Sequence, residues 1–533
     1  MTTSSPVPSY RKDDQGGFQG DRPPPRFNMA AYAIGRAAAR TPDKVALLVM
    51  SDPDQPPAEV WTYAEIEAAV LRIAAALKAS GLAPGARLMI RLENTSTYAL
   101  LFFGAIAGGF VPLPVSTQLT AAEFDFLVRD SGAAAVALAD DFAPSSLPDG
   151  VLVLTSDRVR TMATQSAQQP AGLSYADTGA DDPAYLIYTS GTTSRPKGVI
   201  HGHRAVWGRR PMYEGWYGIT EADRVLHAGA FNWTYTLGTG LTDPWANGAT
   251  AIVYTGPKDP AVWPRLIAAS QATIFAAVPS LYRQTLRYTD VSPSSLGVMR
   301  HGLTAGETPP PGLFEDWRAR TGRELYEALG MSEISTYLSS SPTVPRKPGT
   351  VGRPQAGRCV AILPIEGGND PLPIGAEGLL AVHRSDPGLM LGYWNRPTEE
   401  AEVFRGDWFV GGDLASMDAD GYVTHLGRAN DIMKALGYRV APQEVEAVLA
   451  AYPGVAEVAC AEIQVRADVS VIGAFVILRD GVEQDADAIK RFASERLAPY
   501  KCPREIVFVE ALPRTANGKL RRGELKAWRP TAT

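Results

Sequence analysis

Two cations beside a run of small, hydroxylated residues mark where this chain could handle a polyphosphate: Tyr188-Thr-Ser-Gly-Thr-Thr-Ser-Arg-Pro-Lys-Gly-Val199. Thr189, Ser190, Gly191, Thr192 and Thr193 offer hydroxyls and closely spaced backbone N–H groups, and Lys197 adds a positive charge. Together these make a cradle for phosphate oxygens. The apolar run Pro183-Ala-Tyr-Leu-Ile-Tyr188 reads as the buried strand that delivers the loop. The loop is not a P-loop of the Gly-x4-Gly-Lys-Ser/Thr kind, because Gly198 follows Lys197. A plain Gly/Ser/Thr surface turn has the same composition, so partners for a nucleotide elsewhere in the chain decide between the two.

Such partners follow in order: Tyr326-Glu-Ala-Leu-Gly-Met-Ser-Glu333, Gly411-Gly-Asp413, Gly427-Arg-Ala-Asn-Asp-Ile-Met-Lys434 and Pro513-Arg-Thr-Ala-Asn-Gly-Lys519. With the loop, these segments resemble the adenylate-forming superfamily, which comprises acyl-CoA synthetases, aryl-CoA ligases, luciferases and the adenylation domains of peptide synthetases. The resemblance covers the chain from about Phe27 onward. It implies that Thr189, Ser190, Gly191, Thr192, Thr193, Lys197, Gly306, Glu307, Glu327, Ala328, Leu329, Gly330 and Ser332 line the nucleotide. Asp413 would grip the ribose hydroxyls, Arg428 would open the hinge, and Glu333 would associate with Mg2+. Catalysis would fall to Lys519, Thr189 and Glu333. Leu329 stands where relatives often carry Tyr, so adenine stacking there would be aliphatic. Each residue also has an ordinary reading. Lys519 is an exposed lysine after the turn pair Asn517-Gly518, Lys434 is a solvated charge, and Asp413 with Arg428 is a surface ion pair contributing about 0–1 kcal/mol.

The elements that must carry these residues alternate. Helical patterns at Ala68–Ser80 and Pro260–Ser270 are followed by the strands Ala86–Arg91 and Ala272–Ala277. This is the pattern of an α/β fold with mainly parallel sheets flanked by helices, whose strand-end loops carry the chemistry. Near residue 428 the texture changes to helix Gln443–Ala450, strand Val471–Leu478 and helix Asp487–Arg496, a small mobile α+β lid. The expected organisation is a disordered segment over 1–26, a large amino-terminal domain over 27–427 and a carboxy-terminal lid over 428–533, with the hinge at Asn430 by resemblance. Many relatives carry Asp or Lys at that position, whereas medium-chain acyl-CoA synthetases, which this region particularly resembles, use Asn.

Composition excludes several other functions. The chain has 533 residues, 45% of them apolar, enough for more than one core. A formal net charge of −6 disfavours nucleic acid or an anionic membrane as partner. Cys359, Cys460 and Cys502 have neither metal-knuckle nor disulfide spacing, as expected of a protein of the reducing cytoplasm. Residues 98–115 carry no charge, but Gly104, Gly108, Gly109, Pro112 and Pro114 break the run, which reads as a buried helix turning into a strand rather than a membrane span. His201-Gly-His203 supplies two candidate metal ligands without a third, so a structural role is the better reading.

The chemistry explains the hinge. Joining a carboxylate to ATP brings two anions together, and a unit charge pair at 4 Å is worth about 4 kcal/mol at an effective dielectric near 20. In the mechanism the resemblance implies, Mg2+ near Glu333 and the ammonium of Lys519 offset that repulsion, and in-line displacement yields an acyl adenylate and pyrophosphate. Rotation of the lid then brings Leu436, Gly437, Tyr438 and Arg439 to the coenzyme A channel, with Lys501 near its phosphates. The acyl pocket is expected around Phe231, Trp233, Thr304, Gly330 and Met331, where aromatic walls and the lack of any basic residue except His227 suit a small aromatic or medium-length carboxylic acid. The expected activity is therefore an ATP-dependent, AMP-forming carboxylic acid:CoA ligase, and self-association as a homodimer is compatible with it. The alternative is a stand-alone adenylation enzyme that loads a carrier-protein thiol. Only fourteen residues follow Lys519, so no carrier domain is expected to be fused.

Overall fold

The computed structural model describes residues 17–528 apart from 165–172, 190–195, 311, 432, 436–437, 467–468 and 515–519. A nine-stranded sheet forms the backbone of the large lobe. Six of its strands run parallel, in the spatial order Glu324–Met331, His301–Ala305, Ile274–Ala277, Arg224–His227, Thr250–Tyr254 and Val45–Met50. A second, four-stranded sheet is all parallel: Val111–Pro114, Arg87–Arg91, Ala135–Leu138 and Leu152–Thr155.

Local sequence explains the helices that cover these sheets. The helix Tyr63–Ala79 begins five residues before its expected start at Ala68, because Thr62 and Glu65 form a reciprocal capping box. Its buried residues Ile66, Ala69, Val70, Ile73, Ala74 and Leu77 make one apolar stripe. The helix Ser96–Ala107, capped by the Thr95 hydroxyl, is buried along its whole length and stops at Gly108, as the glycines predict. The two helices touch at Gly104, where an added Cβ would lie 2.5 Å from the Ile73 Cγ2 atom. Among the described residues no helix is long and apolar enough to cross a membrane.

Two antiparallel sheets complete the large lobe. One joins Pro183–Thr189, Lys197–Gly202 and Gly392–Tyr393. The other has five strands, including Trp408–Met417 and Val423–Arg428. After residue 431 the chain builds a separate core, in which Met433, Val440, Val445, Leu449, Ile472 and Ile489 pack together. Its main sheet is the three-stranded Val455–Arg466, Val469–Leu478, Glu505–Phe508.

One boundary needs correction. Disorder was expected over 1–26, yet residues 17–26 lie against the body. Phe18 is buried, its N–H donates to Ser385 Oγ at 2.8 Å, and the Asp21 carbonyl accepts from Trp207 Nε1 at 2.7 Å. A single aromatic side chain with a pocket to fill outweighs the polar composition around it.

Candidate active site

Thr189 and Lys197 are cross-strand partners in an antiparallel hairpin, so the chain leaves and re-enters the sheet at adjacent points. Ser190, Gly191, Thr192 and Thr193 lie outside the described residues. Both ends of the loop are braced through Asp130. Its carboxylate accepts from Tyr188 Oη at 2.6 Å and from Arg396 Nη2 at 2.6 Å, and its carbonyl accepts from Trp394 Nε1 at 3.1 Å.

The segment carrying Glu333 is a turn between the strands Glu324–Met331 and Ser335–Ser339. Gly330 is required there, because an added Cβ would lie 2.2 Å from the Ser335 carbonyl oxygen. Ser335 itself has φ +72°, a left-handed conformation that costs a non-glycine residue and so needs support. Contacts from distant segments hold the turn. His201 Nε2 donates to the Ser332 carbonyl at 2.8 Å, the Met390 N–H to the Glu333 carbonyl at 2.7 Å, and Tyr393 Oη to Glu333 Oε1 at 2.8 Å. Arg209 donates to Ser335 Oγ while its Nε and Nη2 hold the Asp243 carboxylate at 2.7 and 2.6 Å.

Asp413 is buried, paired with Arg428 Nε at 3.0 Å and His425 Nε2 at 3.0 Å. Asp413 and Arg428 stand opposite each other on adjacent strands. Arg428 Nη1 also donates to the Gly411 carbonyl at 2.6 Å, and Met331 packs over Gly411. Burial works to lower the Arg428 pKa, but the charges of Asp413 and then Glu333 overcome it and raise it. Asp413, Arg428 and Glu333 thus share one electrostatic neighbourhood. Burial pushes the Glu327 carboxyl up to about 8, which leaves it protonated at neutral pH. Glu307 is also raised by burial, against hydrogen bonds from Ser280 and the charges of Arg514 and Arg283. Arg514 lies five residues before Lys519 in the sequence and pairs with Glu457.

The predicted acyl residues separate. Trp233 is half-buried, stands edge-on to Tyr235 at 5.6 Å and covers Gly306. Gly330 and Met331 are also partly exposed. Phe231, by contrast, is core: its ring packs on Tyr98 at 5.2 Å and its carbonyl accepts from Tyr98 Oη at 3.1 Å. Thr304 is fully buried. It shares the pleat face of Gly302, whose α-carbon abuts Tyr282 and Leu325, whereas Leu303 and Ala305 pack with Tyr235. Met29, Phe102, Tyr185, Arg209, Thr234, Leu237, Gly238 and Thr242 line a void of about 10 Å³, room for about one water molecule. Arg209 lines this void beside Thr234 and Leu237, and none of the predicted acyl residues does.

The remaining candidates are scattered or outside the description. Lys519, Leu436 and Gly437 lie outside the described residues, and Tyr438 and Arg439 open a short strand, Tyr438–Val440. Lys501 pairs with Glu444. Asn430 is exposed in the short turn Ala429–Asp431, and its carbonyl accepts from Lys526 Nζ at 2.7 Å. His201 and His203 are both buried and held neutral by that burial, with pKa values of about 4. Among the described residues no three acidic, His or Cys side chains gather into a metal cage, and the three cysteines are free thiols.

Comparison with known proteins matches residues 34–394 to the AMP-binding enzyme family and residues 444–519 to the AMP-binding enzyme C-terminal domain. Benzoate–CoA ligase of Thauera aromatica is 30% identical over 95% of this chain and 96% of its own length. The mitochondrial acyl-coenzyme A synthetase ACSM2A of Homo sapiens is 29% identical over 88% of this chain and 85% of its own. The crystal structure of a benzoate CoA ligase from Burkholderia xenovorans LB400 superposes with a TM-score of 0.80 at 30% identity, covering 94% of this chain and 100% of that one.

Proposed function

Because this chain belongs to the AMP-binding enzyme family, we propose that it joins a small aromatic or medium-length carboxylic acid to coenzyme A through an acyl adenylate, with the residue roles set out below. It is an AMP-forming acid–thiol ligase, and the named relatives are CoA ligases and acyl-CoA synthetases rather than carrier-loading modules.

Thr189 and Lys197, at the two ends of the loop, bind the phosphates. Asp413 takes the ribose hydroxyls, and its buried pairing with Arg428 keeps it ionised for that task. Magnesium arrives with ATP. Glu333 is its partner on this chain, and a single carboxylate suits a hard cation that keeps phosphate oxygens and water as its other ligands. Lys519 is carried to the reacting carboxylate by the small lobe, where its ammonium group offsets the repulsion between acid and α-phosphate. The lobe also excludes water from a hydrolysable mixed anhydride. Asn430 is the pivot, and the backbone at 436–439 meets coenzyme A after rotation.

The observation that carries this reading is the convergence on Glu333. Tyr393 connects it toward Lys197, and its charge acts on Arg428. The test is Lys519→Ala. Carboxylate-dependent exchange of pyrophosphate into ATP is expected to fall to background while ATP affinity weakens only modestly. Exchange at the wild-type rate would falsify the assignment. A panel of benzoates, cyclohexane carboxylates and straight-chain acids scored by AMP production with coenzyme A present identifies the acid, and turnover of amino acids alone would rule out the aromatic or medium-chain reading.

A further inference from the structure

The segment Met390–Arg396 runs between the two groups expected to meet MgATP. Leu391 and Trp394 donate their backbone N–H groups to Ile200 and Gly198 at 2.8 and 2.7 Å, stitching the segment to the strand that begins at Lys197. On its other side Met390 N–H holds the Glu333 carbonyl. Tyr393 stands in the middle. Its hydroxyl donates to Glu333 Oε1 at 2.8 Å, its ring centroid lies 5.5 Å from Lys197 Nζ, and its own N–H donates to Glu400 Oε2 at 3.1 Å. The side chain is 8% exposed, so few alternative rotamers are open to it.

A glutamate on a turn has three rotatable bonds and, unsupported, would sample many positions. A carboxylate that must meet a divalent cation on a polyphosphate gains by being fixed beforehand, because the ordering cost is then met at folding rather than at binding. The ring also presents its electron-rich face toward the Lys197 ammonium without giving it a hydrogen-bond acceptor, so the lysine is held near and kept available. We propose that Tyr393 is a positioning residue that sets the Glu333 carboxylate in register with Lys197, so that MgATP meets a preset pair of opposite charges. This rests on the reading of Glu333 as the partner of magnesium.

The test compares Tyr393→Phe, Glu333→Gln and the double variant by calorimetric titration with ATP plus Mg2+ and with ATP plus a chelator. Tyr393→Phe keeps the ring over Lys197 and removes only the hydroxyl. It is expected to weaken MgATP binding about tenfold, or about 1.4 kcal/mol, and to leave metal-free ATP binding unchanged. The Mg2+ concentration that half-saturates pyrophosphate exchange should rise in parallel. In the Glu333→Gln background the same substitution should have no further effect, since the group it orients has lost its charge. If Glu333→Gln leaves the magnesium dependence untouched, the role given to Glu333 is wrong. If Glu333→Gln shifts it but Tyr393→Phe does not, or if the two effects add, Tyr393 is not its positioning residue. If Tyr393→Phe does not accumulate as folded protein, Glu333→Asp, which draws the carboxylate back from the hydroxyl, is read in the same way. An unchanged magnesium requirement in that variant overturns the proposal.

Discussion

Mild acid should destabilise this protein through its buried histidines. His201, His203, His227 and His301 are all buried, and burial lowers their pKa values to about 4, 4, 3 and 4. Two of them cannot be protonated without breaking a bond: Nδ1 of His203 accepts from the Met29 N–H at 3.0 Å, and Nδ1 of His227 accepts from the Gly229 N–H at 2.9 Å. A histidine depressed in the folded state leaves the unfolded chain with more bound protons below about pH 6.5, so stability is present above that pH and is lost as the pH falls toward the folded values. Between pH 7 and 5.5 each histidine is worth about 1.3 kcal/mol, and the four about 5 kcal/mol. The Glu327 carboxyl, raised to about 8, works the other way. It is protonated in the folded state and ionised in the unfolded chain, and it returns about 2 kcal/mol over the same interval. The net loss of about 3 kcal/mol is a large share of an ordinary stability of about 5–15 kcal/mol. Urea unfolding followed by tryptophan fluorescence at pH 7, 6.25 and 5.5 measures it. His203→Asn and His227→Asn, whose amide oxygen can replace the Nδ1 acceptor without titrating, should each remove about a quarter of the histidine contribution. A stability that stays level from pH 7 to 5.5, or a pH slope unaltered in both variants, refutes the reasoning.

Glu327→Gln should show the opposite signature. The wild type loses about 1.4 kcal/mol per pH unit through this group as pH rises from about 5 to 8, so the variant's thermal midpoint should gain on the wild type with rising pH and level off above about 8. Parallel midpoint curves would show that the carboxyl titrates normally. Lys526→Ala removes a solvent-exposed hydrogen bond to the Asn430 carbonyl, so stability should change by less than about 0.5 kcal/mol. Pyrophosphate exchange and thioester formation should nonetheless change unequally, because the turn after Arg428 loses a restraint. Equal change in both half-reactions would detach this contact from the pivot.

What was legible in the chain is what has a local cause. The helix Ser96–Ala107 stops where the glycines put it, and the strand Pro183–Thr189 stands where the apolar run predicted. The early start of Tyr63–Ala79 was also readable, since the Thr62 and Glu65 capping pair lies within four residues. The motifs at 326–333, 411–413 and 427–434 could be found by resemblance, because each is a short run. Their partners could not. The donors to the Glu333 turn come from His201, Arg209, Met390 and Tyr393, and none of these adjoins the turn in sequence. Residue type alone gives no sign that Tyr393 rather than another aromatic faces Glu333. That depends on the register Tyr393↔Val199, which places the ring beside the strand that opens at Lys197.

The same distinction explains why Arg428 and Asp413 fit neither simple reading. A surface pair contributing almost nothing was one option and a ribose-gripping aspartate the other. The ladder sets the two residues opposite each other, and burial of the carboxylate makes the ion pair a condition for keeping Asp413 charged at all. Arg428 is tied by Asp413 and the Gly411 carbonyl to the large lobe, while Asn430 and Asp431 are tied by Lys526 and Arg522 to the small one. Among the described residues, the restraints pass from large-lobe to small-lobe partners between Ala429, which packs on the Trp408 cluster, and Asn430. The pivot proposed at Asn430 falls at that change of partners.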